Sequence, residues 1–221
     1  MTDLMNMQPL TAWDAVLSGH DCEVIGSDGT AIPMDVRRWM GLSDAADHAL
    51  LVDRCTGPTL DVGCGVGRVT QALAARDIRA LGIDISPEAV RMARERGADA
   101  VHRNIFDEVP EEGSWREALL ADGNIGIGGD PVRLLRRLRR LMRPDGAVIV
   151  EVDGPGTGVV HDIIRLRVAG RLTESFAWTW VGVDAVAELA AEAGLAVGEI
   201  RRHDGRCVAR LMPRAAGKET A

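Results

Sequence analysis

The stretch LDVGCGVGRV, residues 60–69, constrains the fold of this chain more than any other. Three glycines, Gly63, Gly65 and Gly67, follow closely after Asp61 at the end of a short apolar run. Glycine weakens strands and helices alike, so three glycines within five positions indicate a turn whose backbone approaches another group closely. Such a turn, between a first strand and a first helix, lets backbone N–H and C=O groups contact a nucleotide-like ligand.

The spacing of these glycines limits which ligand the turn can hold. A dinucleotide-binding turn reads G-x-G-x-x-G, whereas this turn reads G-x-G-x-G and continues with Arg68. The Asp61 carboxylate, at the end of the first strand, would crowd a pyrophosphate. It can instead orient the turn or hold a cationic group, directly or through water. We therefore expect a ligand other than a dinucleotide.

From Thr59 onward, short apolar segments alternate with amphipathic segments of helical period. The predicted strands are TLDV, RALGID, ADAVH, EALLA and GAVIVEV, and the predicted helices lie near 67–76, 87–97 and 130–142. Ser86, Pro87 and Glu88 suit the N-cap, first position and first turn of the second helix. The alternation predicts an α/β fold: a parallel sheet with helices on both faces and a binding crevice at the carboxyl ends of its strands.

The flanking segments follow other patterns. Before the regular region we predict a helix near 10–17, a hairpin turning at Asp28-Gly29, and a helix capped by Ser43 or Asp44. After it, residues 159–181 lack a clear helical period and precede the helix DAVAELAAEAG. The segment LAVGEIRRHDGRCVARLM then predicts two strands joined at Asp204-Gly205.

We interpret the chain as one domain, because no repeat or low-complexity linker interrupts it. Its predicted parts are an N-terminal cap segment (1–56), a ligand-binding core (57–152), an insertion with the C-terminal strands (153–213) and a disordered tail (214–221).

Composition excludes several classes of protein. With 33 acidic and 26 basic side chains the net charge is -7, which argues against a surface that neutralises nucleic-acid phosphates. No window approaches the roughly 20 apolar residues of a membrane span, and the N-terminus lacks a basic start. The four cysteines form no C-x-x-C pair, so neither a zinc site nor a disulfide framework is indicated. We expect a cytoplasmic protein that binds no metal, nucleic acid or membrane.

A second carboxylate completes the predicted ligand site. Asp84 ends the second predicted strand, where it can accept hydrogen bonds from both hydroxyls of a ribose. One acidic residue beside the glycine turn and another on the second strand is the arrangement of class I S-adenosylmethionine-dependent methyltransferases. From about Thr59 to Val152, and more loosely to Met212, the sequence resembles that family, in particular its bacterial small-molecule members.

The resemblance implies a Rossmann-like, doubly wound and mostly parallel seven-stranded sheet, with an N-terminal helical and hairpin cap and an insertion after the fifth strand. It also implies S-adenosylmethionine as cofactor and S-adenosylhomocysteine as product. The residues that it assigns to the cofactor are Gly63, Gly65 and Gly67 at the methionine part, Asp61 near the amino group, Asp84 at the ribose, Ile85 on the adenine, and Asn104 and Ile105 at the adenine edge. The family more often has an acidic residue at the position of Asn104.

Methyl transfer from a sulfonium is an in-line displacement, so the protein mainly supplies proximity, alignment and in some cases a proton acceptor. His161 and Asp153 are the candidate bases, and the insertion at 159–181 and the N-terminal helix are expected to enclose a small-molecule acceptor. Phe176, Trp178 and Trp180 lie on one face of a predicted strand, either as an aromatic pocket wall or as core. The alternative is that the insertion is a hairpin that merely extends the sheet.

Two functions remain open at this stage. The first is methylation of a small molecule, with a place in bacterial secondary metabolism as one setting. The second is a non-methylating protein that binds the same cofactor, as a partner subunit or as an enzyme that uses the cofactor for another reaction. The sequence does not distinguish methylation at O, N, C or S, nor a monomer from a homodimer.

Overall fold

The structure is a computed structural model that describes residues 7–214, and every structural statement below refers to these residues. The helices are α1 (Pro9–Leu17), α2 (Val36–Met40), α3 (Ala45–Leu50), α4 (Arg68–Ala74), α5 (Pro87–Glu95), α6 (Pro131–Leu141) and α7 (Val186–Glu192). The strands are β1 (Cys22–Ile25), β2 (Ala31–Pro33), β3 (Thr59–Val62), β4 (Ala80–Asp84), β5 (Ala100–His102), β6 (Trp115–Leu120), β7 (Met142–Val152), β8 (Val159–Val168), β9 (Arg171–Leu172), β10 (Phe176–Val181), β11 (Leu195–His203) and β12 (Arg206–Pro213).

Seven strands form the main sheet in the order β11-β12-β7-β6-β3-β4-β5. The five strands from β3 to β7 are parallel, and β12 runs antiparallel to both β7 and β11. This confirms the predicted doubly wound, mostly parallel seven-stranded fold. The chain order changes direction between β3 and β6, which places a ligand crevice at the carboxyl ends of these two strands.

Burial explains why the sequence predicts the central strands correctly. All four residues of β3 are buried, Thr59 and Asp61 included, because a parallel strand covered on both faces has no side that faces water. The predicted N-cap of α5 is confirmed, since Ser86 Oγ accepts a hydrogen bond from the backbone N–H of Ala89 at 3.0 Å. On α6, Leu134, Leu135, Leu138 and Leu141 are buried, and the arginines between them lie on the outer side.

A second sheet lies outside the predicted parallel core. Its strand order is β10-β8-β1-β2, with β9 paired to β8. The hairpin of β1 and β2 turns at Asp28 as predicted, and the Asp28 carboxylate accepts a hydrogen bond from Thr30 N at 2.8 Å. The insertion therefore pairs with the N-terminal hairpin, and the alternative that it extends the main sheet is wrong. Ile164, Leu166 and Val168 of β8 are buried with α1, which gives this sheet its own small core.

The two sheets meet at the loop that follows β6. Gly129 ends this loop with a φ of +71°, and a Cβ placed there would lie 2.5 Å from the Cβ of Ala177 on β10. The hydroxyl of Thr179, also on β10, donates a hydrogen bond to the Gly129 carbonyl at 2.8 Å. A residue without a side chain is thus required for β10 to reach the main domain.

Two further observations concern the last described residue and the helices. Arg214 donates its backbone N–H to the carbonyl of Gly194 at 3.1 Å, and the rest of the predicted tail, 215–221, lies outside the described residues. Between residues 7 and 214, no helix combines the length and the apolar character needed to cross a membrane.

The close approach at Gly129 yields a stability prediction. We expect Gly129→Ala to lower the free energy of unfolding by about 1–3 kcal/mol more than Gly170→Ala, measured by urea denaturation. Gly170 is a matched control because its φ is +75° but a Cβ there would meet no atom within 4 Å. Equal losses in the two variants would mean that β10 does not pack tightly against this loop.

Candidate active site

The glycine turn joins β3 to α4 in a conformation that only glycine adopts easily. Gly63 and Gly65 have φ values of +69° and +53°. The backbone N–H groups of Gly63 and Cys64 both donate to the carbonyl of Ile83, at 2.9 and 3.1 Å, which fixes the turn to β4. A Cβ at Gly65 would meet no protein atom within 4 Å, so the backbone is open to a ligand at this position.

Asp84 ties the end of β4 to the glycine turn. Its carboxylate accepts a hydrogen bond from Gly65 N at 2.9 Å and another from Ser86 N at 2.8 Å. Burial raises the pKa of this carboxyl, although both backbone donors favour the charged form. The next side chain, Ile85, is 50% exposed, so an apolar surface stands beside an oriented carboxylate. This pairing suits a nucleoside, with polar ribose hydroxyls and an apolar base face.

Asp61 lies beneath the turn and is 2% exposed. Its Oδ2 accepts a hydrogen bond from the Thr70 hydroxyl at 2.7 Å. Burial raises the pKa of Asp61 to about 6, against the lowering effects of the Thr70 bond and the Arg68 charge. A carboxylate in such a place gains from a nearby cationic group, because the added charge compensates for its lost hydration.

The two residues predicted at the adenine edge occupy different environments. Asn104 is exposed, and its Oδ1 accepts a hydrogen bond from Phe106 N at 3.0 Å. Ile105 is 4% exposed and belongs to the main core, and its carbonyl accepts from Arg137 Nε at 2.9 Å. Of this pair, only the Asn104 side chain stands at the surface, and contact of either residue with an adenine edge stays a prediction.

Asn124, in the loop after β6, was not singled out from the sequence. Its Nδ2 donates to the carbonyls of Val62 and Gly63, each at 3.0 Å. A Cβ placed at Gly63 would lie 2.6 Å from this nitrogen, so the first glycine of the turn makes room for the asparagine amide. The available signal was an asparagine in the glycine-rich run ADGNIGIGG directly after the fourth strand of the core.

A closed ring of alternating charges lies at the same end of the sheet. In order round the ring, its members are Arg38, Asp122, Arg68, Asp47, Arg206 and Glu151. Each arginine contacts the two carboxylates beside it, so three positive and three negative charges balance. We call this arrangement the charge ring. The exposed fractions of its side chains range from 1% to 27%.

The members of the charge ring come from six different parts of the chain. Arg206 on β12 contacts Asp47 on α3 and Glu151 on β7, both at 2.8 Å. Burial alone would raise the pKa of Asp47, but the bonds and charge of Arg68, with help from Arg206, lower it to about 2. For Asp122 the balance is the opposite, and burial raises its pKa despite Arg68 and Arg38.

Hydrogen bonds join the N-terminal cap to residues close to Asp84, in addition to its ion pairs in the charge ring. The Ser86 hydroxyl donates to the Asp14 carboxylate of α1 at 2.8 Å. From the end of α5, Arg96 donates to the carbonyls of Met40 and Gly41, at 2.6 and 3.0 Å. The cap segment is therefore bonded to both ends of α5, and its predicted role in enclosing an acceptor stays a prediction.

The two candidate bases are differently placed. Asp153 directly follows β7, and its backbone N–H donates to Val181 O at 2.8 Å. Its carboxylate has no hydrogen-bond or ion-pair partner among residues 7–214, and burial, followed by the charge of Glu151, raises its pKa. His161 lies on β8 opposite Thr179, with its Nδ1 2.8 Å from the Thr179 hydroxyl.

Strand alternation separates His161 from the aromatic side chains with which it was grouped. Cross-strand partners share a face, so His161 is on the face of Thr179. Trp178 and Trp180, the neighbours of Thr179, point to the other face and pack towards α1. The three predicted acceptor-site side chains therefore do not line one wall, and Asp153 and His161 both stay predicted bases.

Comparison with known proteins agrees with this geometry. Residues 59–146 match the family model described as a methyltransferase domain. Trans-aconitate 2-methyltransferase of Rhodococcus jostii is 34% identical over 109 residues, which cover 48% of this chain and 42% of that protein. Ubiquinone biosynthesis O-methyltransferase of Xanthomonas oryzae pv. oryzae is 27% identical over 105 residues, 45% of this chain and 44% of the other. The chain thus aligns with less than half the length of these curated relatives.

Solved structures match over more of the chain. A methyltransferase of Bacteroides fragilis, described as S-adenosylmethionine-dependent and solved with S-adenosylhomocysteine, superposes with a TM-score of 0.75 at 22% identity, covering 93% of this chain and 94% of that one. The CcbJ methyltransferase of Streptomyces caelestis superposes at 0.60 with 18% identity, covering 80% and 92%. The fold is that of the class I methyltransferases. The predicted resemblance to the S-adenosylmethionine-dependent methyltransferases is confirmed by the methyltransferase-domain match over residues 59–146 and by the shared fold.

The charge ring yields a second stability prediction. We expect Arg68→Leu to lower the free energy of unfolding by about 3–5 kcal/mol, because it leaves buried Asp47 and Asp122 without their shared cation. Urea denaturation measures this loss. Arg91→Leu is the control, since Arg91 pairs with Glu88 and Glu95 on the exposed surface of α5, and its urea midpoint should hardly change. Similar midpoints for both variants would show that the ring does not stabilise the fold.

Proposed function

We propose that this protein transfers a methyl group from S-adenosylmethionine to a small-molecule acceptor. The observation that carries the proposal is the open glycine turn between two carboxylates: Asp84, oriented by two backbone N–H groups, and Asp61, buried beneath the turn. These residues suit a ligand that has a ribose at one end and an ammonium group at the other.

In the proposed complex each part of the site has its own task. Asp84 accepts hydrogen bonds from the ribose hydroxyls, Ile85 offers an apolar face to the adenine, and Asn104 lies near the adenine edge. Gly63, Gly65 and Gly67 let the backbone approach the methionine part, and Asp61 stabilises its ammonium group. When bound, S-adenosylmethionine supplies an electrophilic methyl group on a sulfonium.

We propose that the acceptor binds at the carboxyl ends of the parallel strands and is enclosed by the N-terminal helix and the insertion at 159–181. A small-molecule acceptor is supported by the names of the relatives, which include methyltransferases of trans-aconitate and of ubiquinone biosynthesis. Where the methylated atom carries a proton, we propose that Asp153, rather than His161, takes up that proton. Asp153 stands at the carboxyl end of β7, and its carboxylate has no partner among residues 7–214.

The net charge of -7 supports a protein without a nucleic-acid partner, and we propose that it works in the cytoplasm. Methyl transfer is tested by incubating the protein with S-adenosylmethionine and a panel of acceptors and measuring S-adenosylhomocysteine. Cofactor binding without product for every acceptor would favour the non-methylating alternative. Tight binding of NAD with no binding of either adenosyl ligand would contradict the family assignment of the site.

The role proposed for Asp84 yields a binding prediction. We expect Asp84→Ala to weaken S-adenosylhomocysteine binding by about 1.5–3 kcal/mol, because hydrogen bonds to a charged group are lost. Isothermal titration calorimetry measures the change. Asp99→Ala is the control, because Asp99 is an exposed carboxylate just before β5 and its loss alters the net charge equally. Unchanged affinity in a folded Asp84→Ala variant would show that Asp84 does not hold the ribose.

The raised pKa of Asp61 yields a pH prediction. Because its pKa is about 6 in the free protein, Asp61 is ionised at pH 7 and largely protonated at pH 5. If the ammonium group binds the ionised form, affinity for S-adenosylhomocysteine falls about tenfold from pH 7 to pH 5. Asp61→Asn should bind more weakly at pH 7 and show a flatter profile. A wild-type slope in that variant would assign the titration to another group, such as Asp84 or Asp122.

A further inference from the structure

The end of β5 binds the main chain of Asp84 and Ile85, the two residues proposed to contact the nucleoside. Asp84 ends β4 and lies opposite His102 in the parallel register. The backbone carbonyl of Asp84 accepts a hydrogen bond from Arg103 N at 2.9 Å. The carbonyl of Ile85, one residue further on, is 3.0 Å from Nε2 of the His102 imidazole. Consecutive residues of one segment therefore hold consecutive carbonyls of the other.

The bond between His102 and Ile85 has only one possible direction. A carbonyl oxygen accepts and cannot donate, so the His102 Nε2 atom carries the proton and is the donor. Within residues 7–214 this is the only hydrogen bond that the Ile85 carbonyl accepts. The Ile85 side chain is 50% exposed, so surrounding protein atoms fix it only in part. The direction in which this side chain points thus depends on a backbone that the imidazole holds.

The His102 imidazole is not part of the core. The residue is exposed, and with Pro87 and Val90 it lines an open surface cavity of about 440 Å³ beside α5. A hydrogen bond at an exposed position contributes little to folding, because water replaces either partner when the bond is lost. Loss of this bond is therefore expected to affect a ligand that rests on Ile85 more than the stability of the fold.

We propose that His102 is a positioning residue for the cofactor, because its bond to the Ile85 carbonyl holds the Ile85 side chain against the adenine. This inference rests on the proposed function, since it concerns the nucleoside end of the same site. Without the imidazole, Asp84 keeps its bonds to Gly65 N, Ser86 N and Arg103 N. The ribose contact is then retained, and only the apolar face for the adenine is displaced.

The test compares two amides of different length at position 102. The amide nitrogen of glutamine can take the place of the histidine Nε2 atom and donate, whereas that of asparagine is too short to reach the Ile85 carbonyl. Calorimetry with S-adenosylhomocysteine is done at about pH 8, where histidine is mostly neutral. We expect His102→Gln to bind within about twofold of wild type and His102→Asn about fivefold more weakly, the scale of one neutral hydrogen bond.

A matched variant and the stability of the proteins control this comparison. His203→Asn changes an exposed histidine at the end of β11 and should bind S-adenosylhomocysteine as wild type does. The urea midpoints of all these variants should agree with that of wild type. Equal affinities of His102→Gln and His102→Asn would overturn the proposal.

A double-mutant cycle tests whether His102 acts through Ile85. Ile85→Ala removes the apolar face and keeps the carbonyl, so the imidazole has no side chain left to position. In that background His102→Asn should weaken S-adenosylhomocysteine binding by less than about twofold. The same fivefold loss in both backgrounds would contradict the proposal, because His102 would then act on the ligand by another route.

Failure of the proposed function gives a different pattern. If wild type binds neither S-adenosylhomocysteine nor adenosine, the cofactor assignment fails and the role of His102 fails with it. If wild type binds S-adenosylhomocysteine and His102→Asn binds it equally well, the cofactor assignment stands and the positioning role is refuted.

Discussion

The charge ring is the interaction on which the rest of the structure depends. Its six members join α2, α3, α4, the loop after β6, β7 and β12, so the cap and both halves of the main sheet share one network. Removing charges from water is costly, and the cost is recovered only while every member keeps its partners. In the charge ring each charged group has two neighbours of opposite sign, so this condition is met. The loss of any one member leaves two others with a single partner each.

The charge ring also connects the two halves of the candidate site. Arg68 begins α4 directly after the glycine turn and lies near Asp61, whose negative charge it favours. Asp122 begins the loop that carries Asn124, and it also contacts Arg38 of α2. The position of the cap is therefore coupled, through ion pairs, to the geometry of the turn proposed to hold the cofactor.

The two sheets have different structural roles. The parallel sheet is covered on both faces and buried through β3, which makes its carboxyl edge a rigid base for the turn and Asp84. The second sheet has its own small core and meets the main domain at the glycine-rich loop after β6. The fold as a whole is shared with the Bacteroides fragilis structure at a TM-score of 0.75, although the two sequences are only 22% identical.

The sequence by itself determined the features that depend on neighbours along the chain. The glycine turn, the buried strands of the parallel core, the Ser86 cap and the turn at Asp28 all arise from local backbone preference and periodicity, and all are present. Only the tertiary structure decided which distant elements meet. Arg206 and Asp47 are 159 positions apart, and β8 pairs with β1 across more than 130 residues. The face that separates His161 from Trp178 likewise follows from strand register. Charge pairing and strand pairing act through space, and no periodicity along the chain records them.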